Sequence, residues 1–237
     1  MLNPEGRVIM ISGANRGIGL AVARALYDAG YSLSLGARDT ASFAGVTGGW
    51  TPERVLTGRY DAQDKATHRE WVAATVERFG RLDGLVNNAG IMEDVSVEDD
   101  NDAALDRMWA VNVKAPLSMI RLALPHLRDS GAGRVVNVAS LAGKAVYGGG
   151  IGYSMTKFAA VAFSHATRHA GWEDGVRCTA LCPGYVSTDM TAAVESTPFD
   201  QMIAPGDLAE VVATVLALSN TASIAELVIN CRDDVMM

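Results

Sequence analysis

Short runs rich in Val, Ile and Leu alternate along this chain with longer amphipathic stretches, and that alternation restricts the fold more than any other feature of the sequence. The runs Arg7–Ser12, Tyr31–Gly36, Val55–Tyr60, Leu82–Asn87, Arg134–Val138, Val176–Leu181 and Glu226–Asn230 predict strands. Between them, Gly17–Ala29, Lys65–Phe79, Ala103–Arg128, Tyr153–Ala170 and Pro205–Leu218 predict helices, each long enough to cross a sheet and return the chain in parallel. Strands that are apolar on both sides need cover on both sides. The pattern therefore predicts an α/β fold, a doubly wound, seven-stranded parallel sheet with helices on both faces. With 237 residues, 49% of them hydrophobic, and no Pro-rich, Ser-rich or low-complexity break, residues 1–237 are expected to form a single domain around one large core.

Composition removes several functions. A net charge of −7 without a compensating Lys/Arg-rich run repels a polyphosphate backbone, so no nucleic-acid partner is expected. The longest apolar stretches, such as Arg7–Ile11 and Val211–Leu218, are too short for a bilayer, and the start Met-Leu-Asn-Pro-Glu has neither a charged n-region nor an apolar h-region, so a cytoplasmic protein without membrane contact is expected. Cys178, Cys182 and Cys231 have no metal-ligand spacing, and their odd number speaks against a disulfide framework; they are expected to be small buried residues. His126, His165 and His169 fall on helices and His68 opens another, none sharing a strand end with a carboxylate, so no metal is expected.

In a doubly wound sheet, ligands sit beyond the carboxyl ends of the strands. After the first strand stands Ser12-Gly13-Ala14-Asn15-Arg16-Gly17-Ile18-Gly19. Its glycines allow a tight strand-to-helix turn whose backbone N–H groups and helix dipole can approach a pyrophosphate, although glycines also serve merely to close a strand. At the end of the second strand, where an acid would bind a ribose 2′-hydroxyl, the chain has Ala37 and then Arg38. Arg16 and Arg38 could together hold a 2′-phosphate, each pair at about 4 Å being worth up to roughly 4 kcal/mol at an effective dielectric of about 20 before desolvation is deducted. This predicts NADP(H) over NAD(H). Asp39, one residue further, keeps NAD(H) open, since it could bind the hydroxyl or pair with Arg38, and two solvated surface arginines are the plainer reading.

Tyr153 and Lys157 are four apart and so share a helix face, where the lysine cation favours the phenolate form of its neighbour. Tyr153 can then act as general acid or base. Ser140, thirteen positions before it at the end of the fifth strand, can donate a hydrogen bond where charge develops on a substrate oxygen. No His/Asp partner supports a nucleophilic serine. Pro116 lacks the N–H that would bond the Asn112 carbonyl, predicting a proline kink that frees that acceptor or merely curves the helix.

The glycine turn, Asn87-Asn88-Ala89-Gly90 after the fourth strand, Ser140, the segment Tyr153-Ser154-Met155-Thr156-Lys157, and Pro183-Gly184 after the sixth strand occur in the order found in the classical short-chain dehydrogenase/reductase family, which the chain resembles over nearly its whole length. The resemblance implies a Rossmann-type fold and a catalytic set of Asn112, Ser140, Tyr153 and Lys157, with Asn112 completing a proton relay through water to Lys157. It also implies that Lys157, with Tyr153, contacts the nicotinamide ribose. Gly13, Asn15, Arg16, Gly17, Ile18 and Gly19 would surround the phosphates, with Ile18 by the pyrophosphate and Arg38 beside the 2′-position. Asp61 and Ala62 would lie by the adenine, and Asn88, Ala89 and Gly90 along the adenosine ribose. Pro183, Gly184, Val186 and Thr188 would cap the nicotinamide, and the stretch at about 189–204 would be the substrate lid.

The expected activity is a carbonyl reductase-like, NADP(H)-dependent hydride transfer between nicotinamide and a ketone, aldehyde or secondary alcohol, with reduction favoured because cells keep NADP pools reduced. The alternatives are an NAD(P)-dependent alcohol or 3-hydroxy acid dehydrogenase and a non-catalytic cofactor-binding sensor, against which the intact catalytic set argues. Specificity is expected in Ile91–Val97, in Leu141–Ile151 with its run Gly148-Gly149-Gly150, and in the lid. Six acids from Glu93 to Asp102 read as a solvated loop capping the next helix, or as a fence against anionic substrates at the cleft mouth. The helices Ala103–Arg128 and Tyr153–Ala170, with Ala159, Ala160 and Ala162, suit a homodimer; the chain end Ile224–Met237 lacks the glycine-rich tail of many relatives that form a homotetramer.

Overall fold

The computed structural model describes residues 1–148 and 150–233; Gly149 of the glycine run, and the chain end 234–237, lie outside the described residues. Seven strands, β1 (Val8–Ser12), β2 (Ser32–Ala37), β3 (Val55–Arg59), β4 (Gly84–Asn87), β5 (Arg134–Val138), β6 (Arg177–Pro183) and β7 (Glu226–Ile229), pair in parallel in the order β3-β2-β1-β4-β5-β6-β7. The central strands are buried along their length, as expected where helices cover both faces. Strand order reverses between β1 and β4, the point at whose carboxyl ends a doubly wound sheet takes its ligand.

The helices are α1 (Gly17–Asp28), α2 (Lys65–Phe79), α3 (Asp102–Trp109), α4 (Ala115–Asp129), α5 (Ile151–Gly171) and α6 (Pro205–Ala217). Val22 and Leu26 of α1 and Val212 and Leu216 of α6 pack with Ile9, Leu33 and Leu35 on one face of the sheet. Trp71 of α2, Met119 of α4 and Phe163 of α5 pack with Met10, Leu85 and Val135 on the other. Local chemistry fixes the ends of α2: the Asp64 carboxylate accepts from the Ala66 N–H at 3.0 Å, and Gly80 closes the helix in the left-handed region at φ 72°.

The sequence reading of one helix over Ala103–Arg128 is corrected. The segment divides into α3, a π turn at Ala110–Lys114 and α4, with the Ala115 N–H bonding the Ala110 carbonyl five residues back. The break starts before Pro116, which sits in the first turn of α4, so a π turn rather than a proline kink carries the change of direction.

Cys178 and Cys182 are buried, whereas Cys231 is only half-buried, because it follows β7 where the chain returns to the surface. Among the described residues no helix is long and apolar enough to cross a membrane, and no group of His, Cys, Asp and Glu side chains could hold a metal ion.

Candidate active site

The turn from Gly13 to Gly19 is held by β4. Ser12 Oγ accepts from the N–H groups of Asn88 (3.0 Å) and Ala89 (3.1 Å), and Asn88 Nδ2 donates to the carbonyls of Ser12 (2.9 Å) and Gly13 (3.1 Å). A Cβ on Gly19 would lie 2.2 Å from the Gly13 carbonyl oxygen and 2.5 Å from Asn88 Nδ2, so α1 can enter this close to the strand end only with glycine there. Gly13 and Gly17 take positive φ of 65° and 54°. No side chain caps α1 and no acid stands in its first turn, so its leading N–H groups point outward unanswered by the protein. A close-packed glycine turn under an uncapped helix end fits a dinucleotide pyrophosphate.

Around the turn, Asn15 Nδ2 donates to Ser42 Oγ at 3.2 Å, and the Arg16 guanidinium pairs with Asp189 at 3.0 Å. Arg38 is exposed, and among the described residues it makes no ion pair. Asp39 caps the turn Thr40–Phe43, its carboxylate accepting from the Ala41 N–H at 2.9 Å. Among the described residues the Asp39 carboxylate makes no ion pair with Arg38, the first of the two roles open to it. Asp61 and Ala62 follow β3 and lie half-buried; the Asp61 carbonyl is 2.9 Å from His68 Nε2, a buried histidine that also meets Ser118 at 3.1 Å. Burial pushes the His68 imidazole below its ordinary value, consistent with a neutral ring.

The catalytic candidates come from three elements. On α5, the Lys157 ammonium lies 5.4 Å from the centre of the Tyr153 ring and donates to the Val138 carbonyl at 2.8 Å. Lys157 is buried, so its orientation is fixed by that bond to the end of β5. Ser140, two residues later, opens the 3₁₀ turn Leu141–Gly143; its Oγ accepts from the Ala142 N–H at 3.1 Å and lies 3.5 Å from the Pro183 carbonyl. On the π turn, the buried Asn112 carboxamide accepts from the Ile91 N–H (2.9 Å) and donates to the Ile91 carbonyl (2.8 Å) and to Thr156 Oγ1 (3.1 Å). Gly90 joins them: a Cβ there would be 3.3 Å from Asn112 Oδ1 and 3.9 Å from Lys157 Nζ. Ser12, Thr156 and the carbonyl of Val138 were not singled out by sequence reasoning; Thr156, three positions after Tyr153 and so beside it on the helix, carried the only local signal.

Tyr153 packs against the buried cluster of Val95, Ala104 and Met108, as Ile91 does, which makes the loop after β4 one wall of the site. The acidic stretch is solvated as expected, with Asp94, Glu98, Asp99, Asp100 and Asp102 exposed and Glu93 half-buried. Glu93 pairs with Arg107, which holds its carboxyl below the ordinary range, and the Asp99 carboxylate accepts from the N–H groups of Ser96 (2.6 Å) and Asn101 (3.1 Å), which lowers it too. Asn101 caps α3, its side chain accepting from the Ala104 N–H at 3.3 Å, and Asp102 stands in the first turn, where an acid is favourable.

Past β6, Gly184 donates to the Ile229 carbonyl at 2.8 Å, and Val186 bridges to Ile203. The stretch expected as the substrate lid contains 3₁₀ turns at Asp189–Thr191 and Phe199–Gln201 and is pinned at both ends, the Ser187 N–H bonding Ile203 and the Ile203 N–H bonding Tyr185, each at 3.0 Å. Its start lies over the glycine turn, where a Cβ on Gly17 would be 3.3 Å from Thr188 Cγ2. Behind Ser140, Lys144 and His165 both bond Glu226, at 2.5 and 2.6 Å. Cys182 beside them is pushed up to about 11 by burial and is not a thiolate nucleophile.

A family model described as short chain dehydrogenase matches residues 7–198. Agropine synthesis reductase from Rhizobium rhizogenes is 42% identical over 234 residues, which cover 97% of this chain and 54% of that relative, so the chain spans about half the length of that curated protein. Among solved structures, levodione reductase superposes with a TM-score of 0.85 at 29% identity, covering 95% of this chain and 96% of the other. The 3-ketoacyl-(acyl-carrier-protein) reductase from Brucella melitensis, complexed with NADH, gives 0.86 at 26% identity with the same coverage of both chains.

Proposed function

Since the chain belongs to the short chain dehydrogenase family, we propose that it is an NADP(H)-dependent oxidoreductase that interconverts a carbonyl and a secondary or primary alcohol, working as a reductase. One observation carries the reading: Tyr153 and the buried Lys157 stand side by side on α5, anchored through Val138 to the end of the strand that Ser140 follows by two residues. When bound, the nicotinamide supplies or accepts the hydride at its C4. Ser140 Oγ hydrogen-bonds the substrate oxygen as negative charge develops on it. Tyr153 gives its phenolic proton to that oxygen in reduction and takes it back in oxidation. The Lys157 ammonium stabilises the phenolate left on Tyr153. Pro116 offers no N–H to the Asn112 carbonyl, which holds a water that returns a proton by way of Lys157.

The cofactor contacts follow the same reading. The turn residues Gly13, Asn15, Gly17, Ile18 and Gly19 hold the pyrophosphate, Asp61 and Ala62 the adenine, and Asn88 and Ala89 the ribose. Pro183, Gly184, Val186 and Thr188 cover the nicotinamide, and residues 189–204 close over the substrate. Arg16 and Arg38 bind the 2′-phosphate; the capping role of Asp39 supports this, because a carboxylate held by the Ala41 N–H is turned to its own loop. The Brucella reductase binds NADH, so NAD(H) is the competing choice. Exposed Met155 and Phe158 on α5 support a homodimer through that helix.

The experiment is NADPH oxidation, followed at the nicotinamide absorbance, against small ketones, aldehydes and quinones, with NADH and a Tyr153→Phe variant in parallel. Turnover with NADPH that falls about 10²–10⁴-fold in the variant is expected. Turnover unaffected by the substitution would remove Tyr153 from its role, and faster turnover with NADH would replace the cofactor assignment.

A further inference from the structure

The phosphate-binding turn and the lid are joined by a single ion pair. Arg16 Nη1 lies 3.0 Å from Asp189 Oδ2, across 173 residues of sequence. Both side chains are open to solvent, 70% and 77% exposed, and among the described residues neither has a second ionic partner. Beside the pair, Gly17 approaches the Thr188 methyl, and Ile18 packs against the cluster of Val186, Ile203 and Leu208. An exposed pair of this kind is weak and exchanges readily for a better partner.

Resting on the NADP(H) reading above, we propose that Asp189 is a cofactor-discriminating residue: its carboxylate competes with the 2′-phosphate for Arg16, which ties cofactor choice to the anchoring of the lid. A ribose 2′-phosphate carries more charge and more acceptor oxygens than one carboxylate, so it draws the guanidinium away. Asp189 then opposes the phosphate twice, by holding Arg16 beforehand and by like-charge repulsion afterwards. A cofactor with a 2′-hydroxyl leaves the pair intact. Because coupling is reciprocal, a ligand that takes Arg16 also frees the start of the lid at Thr188–Thr191.

The test uses 2′,5′-ADP and 5′-AMP, which differ only in the 2′-phosphate and carry no nicotinamide, with affinities measured by calorimetry on the full chain. In Asp189→Asn, 2′,5′-ADP is expected to bind about two- to fivefold more tightly and 5′-AMP unchanged, the range of an exposed pair. In the Arg16→Gln background the same substitution is expected to have no effect. Amide exchange in 186–194 is expected to rise with 2′,5′-ADP in the wild type and not with 5′-AMP. If 2′,5′-ADP binds more tightly than 5′-AMP but Asp189→Asn changes neither, this inference falls and the cofactor assignment stands. If the two nucleotides bind the wild type equally, the cofactor assignment itself falls, and this inference with it.

Discussion

Gly143 abuts the backbone of Lys157: a Cβ on Gly143 would stand 2.5 Å from the Lys157 carbonyl oxygen and 2.7 Å from its carbon. The turn that begins at Ser140 is thereby pressed against the helix that carries Tyr153 and Lys157, and the three groups keep one geometry. Gly143→Ala must push the turn off α5. Overpacking of this kind costs about 1–3 kcal/mol, and a displacement near 1 Å can cost about a hundredfold in rate. Carbonyl reduction is expected to fall far more than nucleotide affinity, as kcat and calorimetry on the same preparation would reveal.

Gly19→Ala acts on the other half of the site. The added methyl meets the Gly13 carbonyl at 2.2 Å, so the strand-to-helix turn has to open. Dinucleotide affinity is expected to drop more than tenfold, an estimate set by the roughly 1.4 kcal/mol that each tenfold represents. Quenching of intrinsic fluorescence by NADPH gives the comparison, and unchanged affinity would mean that the turn does not hold the pyrophosphate.

Thr156→Val removes a buried hydroxyl that donates to the Tyr153 carbonyl at 2.7 Å and receives Asn112 Nδ2 at 3.1 Å. A net loss of about 1–2 kcal/mol in stability is expected from the broken bonds. Denaturant midpoints read that loss, and a loss of activity smaller than that of Tyr153→Phe would mark Thr156 as a positioning residue.

Glu226 carries the pH prediction. Its hydrogen bonds to Lys144 and His165 hold its carboxyl below the ordinary 4.5, so the stabilisation is complete above that value and is lost as pH falls through the lower folded value. Wild type and Glu226→Gln should therefore differ in melting temperature at pH 6 and converge as the solution is acidified below pH about 4. A difference that grew on acidification would reverse the assignment.

Much of the site was readable in sequence because its signals are local. The glycine turn is a spacing of three residues that have no Cβ, and the pairing of Tyr153 with Lys157 follows from one turn of helix. The sequence places the seven strands within a residue or two, the central ones because a strand buried on both faces has a composition of its own and the half-buried edge strands β3 and β7 by their β-branched and apolar residues; Tyr31 falls outside β2 and Leu82–Asp83 outside β4. The π turn was not readable. Within it Asn112 bonds the backbone of Ile91, twenty-one residues away, and nothing in Trp109–Pro116 announces that contact. The Arg16–Asp189 pair was hidden in the same way, each residue being unremarkable in its own segment.

Asn112 binds both the N–H and the carbonyl of Ile91, and that contact is made to backbone, whatever side chain position 91 carries. The wall of the pocket is thus bolted at a point indifferent to its own sequence. The positions free to vary are the exposed ones, Met92, Asp94 and Val97, whereas Val95 is buried in the cluster on which Tyr153 packs and its carbonyl accepts from the Gly152 N–H at the start of α5. On the reading proposed above, such a wall lets the rim of the pocket be rewritten at its exposed positions while one buried residue keeps Tyr153 in place.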